Sequence, residues 1–591
     1  MVDWQARNGG TVQLHGPAIR RERSRSGPKV SARQGGDPCL SMPTHVLMAT
    51  GGDIRLRTDP ETLLNGYGCS HRPRPWAITF ASSTASSVSE RGYMVADAAR
   101  LRANRAALAE HDERTSIKTC LEEVREELAR LLQLEFGTEI VLSASGTDAE
   151  LLALALTHIG GNADAPICNI LVGPEETGRG VPLAARGFHF AVDTALQEQV
   201  MPGTLVAGFR PDTRLCSIAV RDSDAQLKPI EAIEADIRDA VKKAMARGER
   251  VLLHALDLSK TGLMAPRPSL LGELRRIYGC KFDIVVDACQ SRLSPSSIGR
   301  YLALGAVVLI TGSKFFSGPP FSGAALIPRA IAGRLAIRKL PSGLNDYFSQ
   351  DDFFSSGRPA SMCRSAANIG LALRWHAALA EMGAFFAVPV ENRLAILERF
   401  GETVRAAISA RPLLTLIPIP QLFRDVGEEA WERTTTIFPF VVSDPQSCHR
   451  YLEFEKALSL YRWLNSDISE ILPHERLLAS KICHIGQPVS LPNSVGGKPF
   501  GALRISAGAR LVSGELSHAH LSNSERLERE LQDVKTVFEK IDLVLRNWRL
   551  VEEADPKPHY DTICVSTEQF SNFPGASQMA CDAPQLCSSR A

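Results

Sequence analysis

Along this chain the apolar positions follow two spacings in turn. Short, nearly continuous apolar runs occur at 139–142, 169–173, 250–256, 284–286 and 306–310, each the length of a buried strand. Between them the period lengthens. Over 115–134, Ile117, Leu121, Val124, Leu128, Leu131 and Leu132 recur three and four residues apart, with Glu and Arg filling the gaps. That spacing predicts an amphipathic helix with one face on a sheet. The stretches 151–158 and 229–246 predict two more. Strands alternating with helices predict a large, doubly wound, mostly parallel α/β sheet. Beyond Pro328 the pattern changes to polar, Gly/Pro-punctuated sequence, followed by long helices over 365–382 and 390–410. A smaller α+β region is expected from 416 to about 514, with strands near 435–442 and 503–506, and a last amphipathic helix over 522–548.

The ends carry no such period. Residues 1–41 are rich in Gly, Ser and Arg, with a basic knot at Arg20, Arg21, Arg23 and Arg25, and are expected to be a disordered extension. They contain no hydrophobic core of a secretory signal, and Met42 opens a more ordered stretch and is a candidate start. The expected division is an N-terminal segment over 42–114, a large domain over 115–360, and C-terminal helices with a small domain over 361–550. A disordered tail over 551–591 follows.

Composition narrows the class. The 591 residues are 44% hydrophobic and 23% charged with a net charge of +1, ordinary for a globular protein and without the basic excess of a nucleic-acid binder. No apolar run approaches the roughly 20 residues of a membrane span. The 13 cysteines are scattered without CxxC or zinc-ligand spacing. Reduced thiols in a cytoplasmic protein, and no metal site, are expected.

Candidate chemistry sits at the strand ends. The run at 284–286 delivers Asp287; the run at 306–310 delivers Thr311, Ser313 and Lys314 ahead of a Gly/Pro-rich turn. An acid and a lysine on neighbouring strand ends suit pyridoxal 5′-phosphate (PLP). The amine bonds the aldehyde, and the carboxylate keeps the pyridine nitrogen protonated. Ser145, Gly146 and Thr147 fall where a strand gives way to a helix, so free N–H groups and the helix dipole make them a phosphate site. Asp148 and Glu150 read equally well as helix-capping residues.

The stretch DACQ followed by TGSKFFSGPPFSGAAL resembles the fold-type I PLP enzymes of the class V aminotransferase and cysteine desulfurase superfamily, over roughly 80–512. The resemblance implies that Lys314 carries PLP as a Schiff base, Asp287 pairs with the pyridinium nitrogen and Gln290 bonds the ring hydroxyl. It places Ser145, Gly146, Thr147, Thr311 and Ser313 at the phosphate. Ser313 stands where the family usually has His. Ser259, or Asp257 beside it, is implied next to the cofactor. Ser83 and Thr84 lie in a segment that passes over the site mouth in the family; an ordinary helix start accounts for them as well. Where relatives carry a ring-stacking His, this chain has Glu175, Glu176 and Thr177, and His189 further on reads as structural. ALRISAG resembles the family's R-x-S strand, which makes Arg504 the binder of a substrate carboxylate. Ser361 would reach the phosphate of a partner subunit in a homodimer.

The expected activity is that of a PLP-dependent transaminase or lyase acting at Cα of a small amino acid. One alternative is cysteine desulfuration with Cys483 as the thiolate, although its apolar neighbours read as a buried strand. Another is a non-catalytic relative that keeps the fold as a binding or regulatory module.

Overall fold

The computed structural model describes residues 40–160, 165–335, 338–353, 363, 366–419, 421–424, 429–493 and 497–558. Its larger sheet has strands β2 (Glu139–Ser143), β3 (Ile167–Val172), β4 (Arg214–Ile218), β5 (Arg250–Asp257), β6 (Met264–Ala265), β7 (Phe282–Asp287), β8 (Val307–Thr311) and β9 (Gly323–Ile327). A short strand, β1 (Ile78–Phe80), precedes them in the chain. The order across the sheet is β2-β9-β8-β7-β5-β3-β4, with β6 paired to β5. The pairs β8–β7, β7–β5, β5–β3 and β3–β4 are parallel; β9 runs against both β2 and β8.

Residue alternation along these strands sorts their side chains between two cores. Val251, Leu253, Ile284, Val286, Val308 and Ile310 enter one cluster; Leu252, Val285, Val307 and Leu309 enter the other. A strand buried on both faces reads as the unbroken apolar run seen in the sequence. Helix Gly146–Gly160 lies over the second cluster through Ala149, Leu151 and Leu152, while Ile230–Ala246 and Pro268–Tyr278 cover the first through Ile233 and Leu270. Helices on both faces of a mostly parallel sheet give the doubly wound α/β architecture that the pattern predicts.

A second sheet orders β1-β13-β14-β11-β10, with β12 on β11; its later strands are β10 (Leu414–Leu416), β11 (Ile437–Asp444), β12 (Ser447–Tyr451), β13 (Cys483–Leu491) and β14 (Phe500–Ser506). β1 pairs in parallel with β13, Ile78 opposite Cys483, so an early strand is built into the sheet made by the C-terminal part of the chain.

Helices Glu90–Glu110, Glu113–Leu131 and Ile369–Ala387 pack together. The second begins at Asp112, whose carboxylate accepts the Thr115 N–H at 3.0 Å, and the third at Asn368, which accepts from Leu371 N at 2.9 Å. The first helix is not evident from apolar spacing because its buried contacts are the small residues Gly92, Ala96, Ala99 and Ala103. Among the described residues, no helix is long and apolar enough to cross a membrane.

Candidate functional site

β7 and β8 are neighbours in parallel register, Asp287 opposite Leu309, so Asp287 and Thr311 emerge at one edge of the sheet. The turns beyond them are knitted together. Asp287 Oδ1 accepts the Cys289 N–H at 3.0 Å, Thr311 Oγ1 donates to the Cys289 carbonyl at 2.7 Å, and Ser291 Oγ donates to the Thr311 carbonyl at 2.7 Å. Phe315 N donates to the Gln290 carbonyl at 3.3 Å, tying the lysine turn to the DACQ turn.

The start of helix Gly146–Gly160 lies against the same edge. A Cβ on Gly146 would stand 2.6 Å from Cys289 Sγ and 3.9 Å from Thr311 Cγ2, so a side chain here would collide with the cysteine. Ser145 Oγ hydrogen-bonds the Asp148 carboxylate and accepts the Asp148 N–H at 3.3 Å, an ordinary cap that holds the first turn open to the edge. Thr147 is buried against the 178–180 turn. Ser313 is buried too, and its hydroxyl has no hydrogen-bond partner among the described residues.

Lys314 is half-buried, and its Nζ donates to the Thr84 carbonyl at 3.1 Å. Burial first, and then the positive charge of Arg504, push its ammonium down to about 8, with Cys289 and Asp287 opposing.

Above this floor runs the segment Ser82–Thr84. Gln290 Nε2 donates to the Ser83 carbonyl at 3.1 Å, while its Oε1, buried, has no partner. Arg504 reaches the segment from β14. Its Nη1 donates to the carbonyls of Ser83 (3.1 Å) and Lys260 (3.3 Å), its Nη2 to Thr84 Oγ1 (2.7 Å) and the Gln487 carbonyl (2.6 Å), and its Nε to that same Gln487 carbonyl (2.9 Å). All five N–H groups of the guanidinium are thus engaged, and none meets a carboxylate. Burial lowers Arg504 to about 10. Arg292 is a second buried guanidinium without an acid: it donates to the Ala507 carbonyl (2.7 Å) and Ser82 Oγ (2.9 Å) and lies 5.1 Å over the Phe315 ring.

Two expected cofactor neighbours are committed elsewhere. Ser259 Oγ hydrogen-bonds Glu176 and accepts the N–H groups of Thr261 and Leu263 at 3.2 and 3.1 Å. Asp257 is held by Tyr301 OH at 2.9 Å and by Arg424. Glu176, in the stretch where the resembled family carries a stacking His, also hydrogen-bonds Thr261 and takes the Arg221 Nε at 2.7 Å, with both charges buried. It is a buried ionic knot beneath the 258–262 turn. His189 contacts Tyr347, ring nitrogen to hydroxyl at 2.7 Å. Cys483 opens β13 fully buried, its thiol pushed up to about 11 by burial. Ser361 lies outside the described residues.

Two features escape a reading of the sequence. Lys260 follows Ser259, and burial followed by the charges of Arg504, Arg179 and Lys314 pushes its ammonium down to about 7. His254 on β5 faces Glu150 of helix Gly146–Gly160 at 3.2 Å, both buried, and the acid raises the imidazole against the effect of burial, helped by Asp287. Only an ionisable residue in the apolar interior of the strand, between the charged ends Arg250 and Asp257, hints at that pair.

The sequence matches no family model and no curated protein. Solved structures share its outline. An Oryza sativa TDC with PLP is 14% identical, with 88% of this chain and 92% of that one covered and a TM-score of 0.45. The cystine C-S lyase C-DES, in complex with its reaction product cysteine persulfide, is 12% identical over 78% of this chain and 97% of that one, with a TM-score of 0.45. A cysteine desulfurase from Thermococcus onnurineus NA1 is 16% identical over 78% and 95%, with a TM-score of 0.43. With every TM-score below 0.5, no residue's role is carried over from them.

Proposed function

We propose that this chain is a PLP-dependent enzyme that acts at Cα of a small amino acid, with Lys314 as the residue that holds the cofactor. The observation that supports this most is a single edge of the sheet. It gathers an amine lowered toward neutrality (Lys314), a carboxylate (Asp287), a helix start where a side chain would press on Cys289 (Gly146), and a buried amide oxygen without a partner among the described residues (Gln290).

The residues fit the group. Ser145, Gly146 and Thr147 offer N–H groups, and Ser313 a hydroxyl, to a phosphate at a helix start; the hydroxyl protons of Ser145 and Thr311, held by Asp148 and the Cys289 carbonyl, would have to turn to reach it. Asp287 supplies the negative charge a pyridinium requires, and the Gln290 amide, three residues further along the chain, would meet a ring substituent. Bound there, PLP supplies an aldehyde that takes up amines and a ring that accepts electron density from Cα.

The protein's own part is proton handling and grip. Lys314 would be the base that removes a proton at Cα and the acid that returns one. Asp287 holds the proton on the ring nitrogen. Arg504 is the carboxylate binder, but its donors are already filled. A substrate carboxylate engages it by replacing Ser83 O and Thr84 Oγ1, which requires the 82–84 segment to move aside. A transaminase or lyase that works as a homodimer is the reading that follows.

The test is direct. The purified chain should bind added PLP with a visible absorption band, and borohydride should then fix the cofactor irreversibly to a peptide containing Lys314. Asp287→Asn should keep the bound cofactor and lose at least about a hundredfold in turnover on an amino-acid panel, some 2.7 kcal/mol of barrier. A colourless protein that takes up no PLP rejects the proposal. A chain that binds PLP but turns over no amino acid belongs instead to the non-catalytic alternative.

A further inference from the structure

We propose that Cys120, Glu123 and His376 form a binding site for one divalent transition-metal ion, with Zn2+ as its representative. The site is separate from the strand-end residues and does not depend on the role proposed for them.

Cys120 and Glu123 are three residues apart on helix Glu113–Leu131 and so share a face. His376 meets them from helix Ile369–Ala387. One ligand atom from each can be chosen so that all three lie within 4.8 Å of one another. His376 Nε2 stands 3.7 Å from Glu123 Oε2, close to the roughly 3.4 Å edge of a tetrahedron built on metal–ligand bonds of about 2.0–2.1 Å.

The imidazole is what asks for a ligand. His376 is 8% exposed, and its Nε2 is buried without a hydrogen-bond partner among the described residues. A buried ring nitrogen left in this state is unfavourable, and a metal ion would satisfy it. Cys120, 4% exposed, supplies a soft sulfur that favours zinc-like ions over magnesium or calcium. Arg102, from helix Glu90–Glu110, donates Nη2 to Glu123 Oε2 at 3.2 Å and is largely exposed. The carboxylate has lone pairs for both partners, and such an outer hydrogen bond is a usual companion of a ligating carboxylate.

When the metal–sulfur bond forms, the Cys120 thiol loses its proton to solvent. One thiolate, one carboxylate and one neutral imidazole then leave a divalent ion without net charge, which suits a site among packed helices. Water completes the fourth position.

The sequence hides this cluster because its third member is 253 positions from Glu123 (376 − 123), so no motif spacing reveals it.

Co2+ is the probe, because a tetrahedral thiolate site gives it intense visible bands and a sulfur charge-transfer band. The full chain, stripped with chelator, should take up roughly one equivalent of Co2+ with these bands. Zn2+ added afterwards should bleach them. Cys120→Ser and His376→Gln should each abolish the bands. Glu123→Gln, at a partly exposed position that does not threaten folding, should weaken uptake at least about tenfold. Thermal melts of the metal-free proteins identify any variant that fails to fold. Bands that persist in folded Cys120→Ser or His376→Gln, a Glu123→Gln protein that binds as the parent does, or a parent that gives only the pale spectrum of hydrated Co2+ would overturn the proposal.

Discussion

Arg504 Nη2 donates to the Thr84 hydroxyl at 2.7 Å, and the carbonyl of that same threonine accepts the Lys314 ammonium at 3.1 Å. One residue of the N-terminal segment therefore stands between two cations that would otherwise face each other. Removing its hydroxyl while keeping its shape strands one guanidinium N–H and the Gln487 N–H, which the hydroxyl also accepts at 3.0 Å. Thr84→Val should cost about 1–3 kcal/mol in urea unfolding, while Thr84→Ser should stay close to the parent. Equal stability of the two variants would mean that this contact contributes nothing.

Lys314 sets a pH dependence. With its ammonium lowered to about 8, the amine loses its proton at a lower pH than an ordinary lysine does. The uncharged, nucleophilic fraction thus grows between about pH 7 and pH 9. The rate at which added PLP becomes reducible onto the protein should rise through pH 8 and then level off. Arg504 is one cause of the lowering, so Arg504→Met should move the midpoint upward. A rate that stays flat across this range would count against the assignment.

Glu176 and Arg221 are a fully buried ion pair, and Ser259 and Thr261 fill the other carboxylate oxygen. Glu176→Gln leaves Arg221 charged and unbalanced in the interior. A loss of about 3–5 kcal/mol in equilibrium unfolding is expected, together with loosening of the turn that carries Lys260. A change below about 1 kcal/mol would show that water reaches the pair.

Cys483 tests the desulfurase alternative. A fully buried thiol raised to about 11 carries almost no thiolate near neutral pH. Cys483→Ala should retain PLP binding and turnover, with a stability loss on the order of 1 kcal/mol from the lost sulfur. Sulfide release from cysteine in the parent that vanishes in this variant would reverse that ranking.

What the sequence makes legible and what it conceals differ by range. Asp287, Lys314 and the 145–147 turn stand out because strand, turn and helix signals are local: a β-branched run ends, a glycine appears, a new period begins. The two sheet faces follow from alternation in the same way. Ser259 is also visible as a polar strand end, but its partner Glu176 lies 83 residues away and nothing nearby announces it. The four acceptors around Arg504 are the carbonyls of three residues and a hydroxyl that distant pairings bring together, and a carbonyl has no signature in sequence. Helix Glu90–Glu110 is hidden for another reason: alanines pack closely yet leave little apolar contrast.

The contact between Ser83 and Arg504 joins positions 421 residues apart, and β1 finds its place only beside β13. Local strand–helix units can form as soon as they are made, but this closure waits until nearly the whole chain is available, and loop-closure entropy makes such distant pairings slow. During synthesis Lys314 therefore emerges long before β13 and β14, which hold the 82–84 segment over it, exist. A nascent chain halted ahead of β14 would carry the lysine and the acid on an open sheet edge, uncovered and without Arg504, so competence should be acquired late and in one step.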